Sequence, residues 1–393
     1  MHTRSLAAVL ALLTLACAGS SDSSAAFELA DSAGVAIAYS RMDAGDTIGW
    51  GVTATPTVDI GVHEGDPAYQ FFRISWVSRL PNGELAVVNA GSQEIRFYSA
   101  DGTHTRSVGR AGDGPNEFRL PLGLMGRAQD SLTIWDLQTR RLTILSPEGE
   151  FVETTPVTER LLNPNALGVM SDGSLVLLDE LFDIPEQGFA EIQMQVILHR
   201  PGSAMMDTLG QWPFWRIGSL GDLVGAPHFE PRGSAAAAPD LVWVGLAREA
   251  KVDAYDRSGT LVRSVRWSPP DLSVPPGAAS VLLERQLADA PAERHAAIRR
   301  THEAAPVAPQ FPVYSRVMTG RDGLLRVQEY ARPTDPDSTA NRWLLFDATG
   351  ELRGRLVFPR SFRPMEWAEG YVTGVFRDDL DVEIARVYEL HWE

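Results

Sequence analysis

The chain has 393 residues, with 51 acidic against 35 basic side chains and a formal net charge of −16. That surplus, with no Lys/Arg-rich block to offset it, argues against a nucleic-acid partner. A single cysteine excludes an internal disulfide, so stability has to come from packing.

At the N-terminus, Arg4 precedes the apolar run from Leu6 to Ala16, which is too short to span a bilayer and suits the h-region of a signal peptide. Residues 1–17 are therefore expected to direct export. Two cleavages are open. Leu13-Thr-Leu-Ala-Cys17 resembles a bacterial lipobox, with Thr14 where that motif usually has Leu; an ordinary signal cut after Ala18 is the alternative. The lipoprotein reading is preferred, because Cys17 is the sole cysteine and a Ser/Gly tether from Gly19 to Ser24 follows it. The expected location is the bacterial cell envelope, with membrane contact only through the lipid anchor, or else a soluble periplasmic or secreted form. Residues 18–50 form a tether and extension, with an extra strand expected at Val35 to Tyr39.

From residue 51 onward one phrase returns six times: a strand, a tight turn, a second strand, a short break and a third strand. Its clearest copy runs from Leu80 to Thr103. The copies open on Asn82-Gly83, Asp130-Ser131, Asp172-Gly173, Pro239-Asp240, Asp322-Gly323 and Glu369-Gly370, most of them pairs that tolerate positive φ. Runs rich in branched and aromatic residues follow each turn, such as Leu85 to Val88 and Leu132 to Trp135. Several are apolar on both faces, as expected of sheets stacked face to face. A repeat of this length made only of strands predicts a propeller, so residues 51–393 read as one all-β, six-bladed unit even though the length would permit several domains. The sixth copy lacks an outer strand at the C-terminus, and Thr57 to Val62 is placed to supply it and close the ring.

After the first copy stands Ser107-Val-Gly-Arg-Ala-Gly-Asp-Gly-Pro-Asn-Glu-Phe-Arg-Leu-Pro121. This phrase resembles the inter-blade signature of NHL-type six-bladed propellers, in particular the bacterial secreted and lipid-anchored members. A weaker echo runs from Ile60 to Phe72. The resemblance implies a propeller used for binding, with a minority of related propellers acting as hydrolases or lyases. Copies three to five depart from the pattern through insertions.

Those insertions fall on the face that carries the inter-blade connections: Glu180 to Glu191, Gln211 to Arg232, Pro269 to Pro309 and Tyr330 to Asn341. Long loops gathered on one rim are what a binding face looks like. Within the third, residues 275–306 are bounded by prolines and rich in Ala, Leu, Glu and Arg between Ala278 and Ala304, and read as one or two helices able to cap the channel.

The histidines show no metal spacing, no Gly-x-Ser-x-Gly elbow occurs, and Gly109 to Gly114 precedes no helix and so is a turn, not a phosphate cradle. Polar residues do recur at the end of the second strand of the copies: Asn89, Asp136, Asp179 and Glu329, with Arg377 in the sixth. Turn capping is the plain reading of such positions. The alternative is a Ca²⁺ site made of Asn89, Asp136, Asp179 and Glu329, as in the gluconolactonase-like propellers, with His228 or Glu329 moving a proton. Trp212, Phe214 and Trp215, followed by His228, could form a stacking platform, with packing beneath the long loop the commoner explanation of such a cluster. The main expectation is an exported scaffold that binds a small molecule, a glycan or an envelope protein without a cofactor. Its candidate rim is Asn89, Arg119, Asp136, Asp179, Trp215, His228, Arg248, Glu329 and Arg377. Catalysis is not required; if present, it would be metal-dependent hydrolysis of lactones or esters. An architectural module of an envelope complex is a further alternative.

Overall fold

The computed structural model describes residues 26–41, 50–124, 131–157, 161, 164–200, 202–203, 206–220, 223–335 and 340–392. The expected export signal, Cys17 and the expected tether from Gly19 to Ser24 lie outside the described residues. Among the described residues, no helix is long and apolar enough to cross a membrane.

Six sheets follow one another in chain order. Blade 1 is Ile74–Arg79, Leu85–Asn89, Glu94–Tyr98 and His104–Val108, all antiparallel. Blade 2 opens on Pro121–Leu124, blade 3 on Asn165–Val169, blade 4 on Gly233–Ala237, blade 5 on Tyr314–Thr319 and blade 6 on Phe362–Ala368. Opening strands lie against each other between blades 1 and 2, 2 and 3, 3 and 4, 4 and 5, and 6 and 1, and so line a central channel. The chain is a six-bladed β-propeller. Among the described residues the tight turns sit where the dipeptides predict, with positive φ at Gly83, Gly102, Gly149, Gly173, Gly259, Gly323, Gly350 and Gly370, while Asp130 of the Asp130-Ser131 pair lies outside the described residues.

The core is divided by the blade interfaces. Ala86, Val88, Ile95 and Phe97 of blade 1 pack on Ile134 and Leu145 of blade 2, and comparable clusters fill the other five interfaces. Inner strands therefore bury both faces, which is why Leu85–Asn89 and Leu132–Asp136 are buried at every position. Fully burying a large apolar side chain contributes about 1.5–3 kcal/mol, so these interfaces can hold the ring without a disulfide. Approach is close near the axis: a Cβ on Gly123 would lie 2.1 Å from Trp76 Cβ of blade 1.

Closure follows the expectation from residues 57–62. Val58–Ile60 pairs antiparallel with the last strand, Glu383–Trp392, and Trp50–Val52 extends the pairing along that strand. The extra strand also forms, as Val35–Ser40. With Phe27–Ser32 it makes a hairpin that adds in parallel to the outer strand of blade 4, Leu261–Trp267.

Two insertions differ from expectation. Residues 211–220 are not loop: they continue Met206–Leu220, which pairs with Phe189–His199 in a long ribbon extending blade 3. The loop expected from Glu180 is likewise shortened, because Leu175–Leu181 pairs through Leu181. A two-strand ribbon satisfies its own backbone groups, so an insertion can be absorbed as longer strands. The helical insertion forms as α1 (Ala278–Ala288) and α2 (His295–Ala304), joined by a 3₁₀ turn. It is seated through Ala278 and Leu282 on Phe229, Ala308, Phe311 and Tyr330.

Candidate functional site

The recurring polar residues at strand ends have a structural task. Asn89 is 1% exposed; its Oδ1 accepts the Phe72 N–H at 2.9 Å, and its Nδ2 donates to Ser92 Oγ at 2.7 Å. Asp136, equally buried, accepts four backbone N–H groups, from Arg119, Leu120, Gln138 and Thr139, at 2.7, 3.3, 3.1 and 3.0 Å. Both staple the inter-blade segment, two residues before the next inner strand, to the end of the second strand. Glu329 is held by Arg355, whose Nη2 donates to Oε1 at 3.0 Å and whose Nε stands 2.9 Å from Oε2. Asp179 is buried within its strand, beside Glu180, whose carboxyl is pushed up by burial while Arg232 opposes the shift.

These four residues come from four different blades, and the oxygens of Asn89, Asp136 and Glu329 already face donors. Among the described residues, no group of three or more His, Cys, Asp or Glu side chains could hold a metal ion. The donor set expected for Ca²⁺ does not fit a shared site, because Asp136 is turned onto the backbone of its own loop, Asn89 onto the Phe72 N–H and Glu329 onto Arg355.

The other rim candidates are also engaged. Arg119 pairs with Asp113 at 2.6 Å, Arg248 with Glu191, and Arg377 with Glu383 at 2.7 Å. The stacking platform does not assemble. Trp212 and Phe214 pack on the core between blades 3 and 4, with Trp212 edge-on to Tyr255, while Trp215 lies under the Arg232 guanidinium at 4.2 Å. His228 is committed to anchoring the insertion: its Nε2 donates to the His302 carbonyl at 2.9 Å, and its backbone bridges Pro306 and Ala308. The two imidazoles lie 4.1 Å apart, and burial, followed by the His228 ring, pushes His302 below its ordinary value.

Of the nine candidates, Glu329 alone borders the pocket lined by the inner strands of blades 5 and 6, one of those on this face. That pocket, about 380 Å³, lies at the channel mouth where the inner strands of blades 5 and 6 begin. Ser315 and Arg316 form one wall, Phe362, Arg363 and Pro364 the other, and Arg285 of α1 reaches over it while donating to the Pro333 carbonyl at 2.6 Å. Asn341 fixes the floor: its Nδ2 donates to the Phe362 carbonyl at 2.8 Å, and its Oδ1 accepts from Gln328 Nε2 at 2.7 Å and Trp343 Nε1 at 2.9 Å. Arg316 is exposed to solvent on the pocket wall, although the protein around the cavity partly desolvates its charge. Burial, and then the Arg363 charge, lowers its pKa from the ordinary guanidinium value. Arg363 is lowered too, by burial first, with Glu383 opposing and Arg377 adding.

Sequence reasoning missed Arg285, Arg316, Arg360 and Arg363. The available signal was a charged residue on an innermost strand, as in Tyr314-Ser-Arg-Val317 and Phe362-Arg-Pro-Met365, where blade packing leaves no reason for one.

No family model matches the chain, and no curated protein matches it. Among solved structures, a member of the DUF4221 family from Bacteroides vulgatus is similar with a TM-score of 0.53 at 10% identity, over 88% of this chain and 100% of that one. A gluconolactonase from Xanthomonas campestris gives 0.42 at 14% identity over 89% and 99% of the two chains. Virginiamycin B lyase from Staphylococcus aureus gives 0.37 at 10% identity over 88% and 96%. At 10% identity the likeness to the DUF4221 member is one of fold alone.

Proposed function

We propose that the protein is an exported ligand-binding β-propeller whose site is the roofed pocket at the channel mouth between blades 5 and 6. The observation that carries this reading is the joint construction of the pocket: two inner strands supply its walls, and a helix inserted between blades 4 and 5 supplies Arg285 above it. Pockets of this size suit small molecules, and a rigid ring with one decorated face is a common way to present them. The apolar run Leu6 to Ala16 after Arg4 supports export, and the NHL-like phrase at 107–121 supports a binding use.

The test is a fragment screen by saturation-transfer NMR on the wild-type chain and on Ser315→Trp, whose added ring fills the pocket from an exposed wall position. Fragments that bind the wild type and are lost in the variant support the reading. A set that binds both proteins equally, or neither, removes it.

A further inference from the structure

Resting on that pocket as the binding site, we infer that its ligand is a small oxyanion, a molecule carrying a phosphate or carboxylate group held by Arg316 and Arg363. Four arginines line the pocket (Arg285, Arg316, Arg360 and Arg363) against a single carboxylate, Glu329, and that carboxylate is already taken by Arg355. The local surplus of positive charge stands in a chain whose overall charge is −16. It is therefore a feature of this site and not of the general surface.

Arg316 makes the strongest case. Its side chain is exposed, it makes no hydrogen bond or ion pair among the described residues, and the charge acting on it is that of another arginine, Arg363. By contrast, arginines packed inside the blades find acceptors: Arg96 meets three backbone carbonyls and Glu94, Arg326 meets Asp322, and Arg321 meets Glu366. Arg363 spends one nitrogen on the Ile74 carbonyl, 2.9 Å away, and leaves the rest of its fork free of described acceptors. Like charges gathered at one cavity repel each other unless an anion neutralises them. Here two such cations stand on adjacent inner strands facing one cavity. A planar carboxylate or a tetrahedral phosphate accepts from two guanidinium forks at once, which neither water nor a neutral ligand does as well. Focusing of the field by the low-dielectric channel walls adds to the attraction. The pocket volume leaves room for an organic body beyond the anionic group, against the ring edges of Trp343 and Phe362.

The experiment is calorimetric titration of the full wild-type chain with inorganic phosphate and, separately, with succinate, in a buffer free of other oxyanions. Arg316→Gln, Arg360→Gln and Ser315→Trp are run in parallel, and folding is verified by circular dichroism. The expected result is saturable binding of at least one anion that weakens at least about tenfold in Arg316→Gln, as loss of a charge-assisted hydrogen-bond pair requires. It is lost in Ser315→Trp and weakens as chloride is raised. Should Arg316→Gln fail to fold, Arg360→Gln, at an exposed position with no described partner, carries the test with a smaller loss. Phosphate binding alone assigns a phosphorylated ligand, and succinate binding alone a carboxylate. If uncharged fragments bind and are displaced by Ser315→Trp while neither anion binds, the oxyanion assignment is overturned and the pocket reading stands. If nothing binds, both fall. Anion binding unchanged in Arg316→Gln and Arg360→Gln also overturns the assignment.

Discussion

Glu366 Oε2 in blade 6 accepts the Ser78 hydroxyl of blade 1 at 2.7 Å, although 288 residues separate them in the chain. Arg321 of blade 5 donates to the same oxygen at 2.9 Å, and the Arg79 N–H to the other at 3.1 Å. One carboxylate thus ties three blades together on the face opposite the pocket, across the joint where the ring closes. Glu366→Ala removes the carboxylate that answers the Arg321 charge and is expected to cost about 3–5 kcal/mol, whereas Glu366→Gln keeps the shape and costs less. Urea unfolding midpoints measure both, and a Glu366→Ala midpoint equal to wild type would remove the closing role.

Asp136 answers four backbone donors in the loop it caps. Asp136→Ala is expected to lose about 1–3 kcal/mol by orphaning them, with Asp136→Asn intermediate. Calcium titration of wild type and variant should give no difference in heat. A stoichiometric calcium signal abolished in Asp136→Ala would restore the metal reading that the loop geometry argues against.

His302 ties the insertion to a pH window. Its folded-state pKa is lowered by burial and by His228, with Glu303 opposing, so the native state prefers the neutral ring. Above the ordinary imidazole value both native and unfolded forms are neutral and pH has no effect. As pH falls below it, the unfolded ring takes up a proton that the native ring resists, and stability declines until the native ring is protonated as well. Amide exchange in α2 is expected to quicken between neutral and mildly acid pH, and His302→Phe should flatten that response. Equal quickening in the variant would assign the effect elsewhere.

The two N-terminal additions differ in what they hold. Val35–Ser40 lies on the outer edge of blade 4, with Ala38 buried and Ser40 Oγ accepting the Leu352 N–H at 2.9 Å. Val58–Ile60 completes the last blade. Removing residues 1–41 is expected to lower the melting temperature while keeping the β-sheet circular dichroism spectrum. Removing residues 1–61 should prevent native folding, because it leaves the last strand with an open edge. Equal behaviour of the two truncations would refute the assignment of closure.

How far the sequence reached follows from the range of each signal. Turn pairs such as Asn82-Gly83 and Asp322-Gly323, with the apolar runs behind them, act within a few residues, so blade number, turn positions, closing segment, extra strand and helical insertion were all legible. The ribbon at Met206–Leu220 was not, because its pairing with Phe189–His199 is decided by a partner strand and not by a local turn. For Trp212 and Phe214 composition left a stacking platform and core packing both open, because it cannot say which face of a strand is covered; they pack on the interface of blades 3 and 4.

What the sequence by itself determined is a closed ring of six sheets, because every blade repeats the same short-range instructions. Only the tertiary structure decided where chemistry can occur. Arg285, Arg316, Arg360 and Arg363 follow no motif and meet because ring closure sets the angular positions of two inner strands and lays a helix across their ends. Asn89 and Asp136, which do follow a motif, turn out to hold loops, since a repeated residue answers a need repeated in every blade, whereas a binding site breaks the symmetry of the ring.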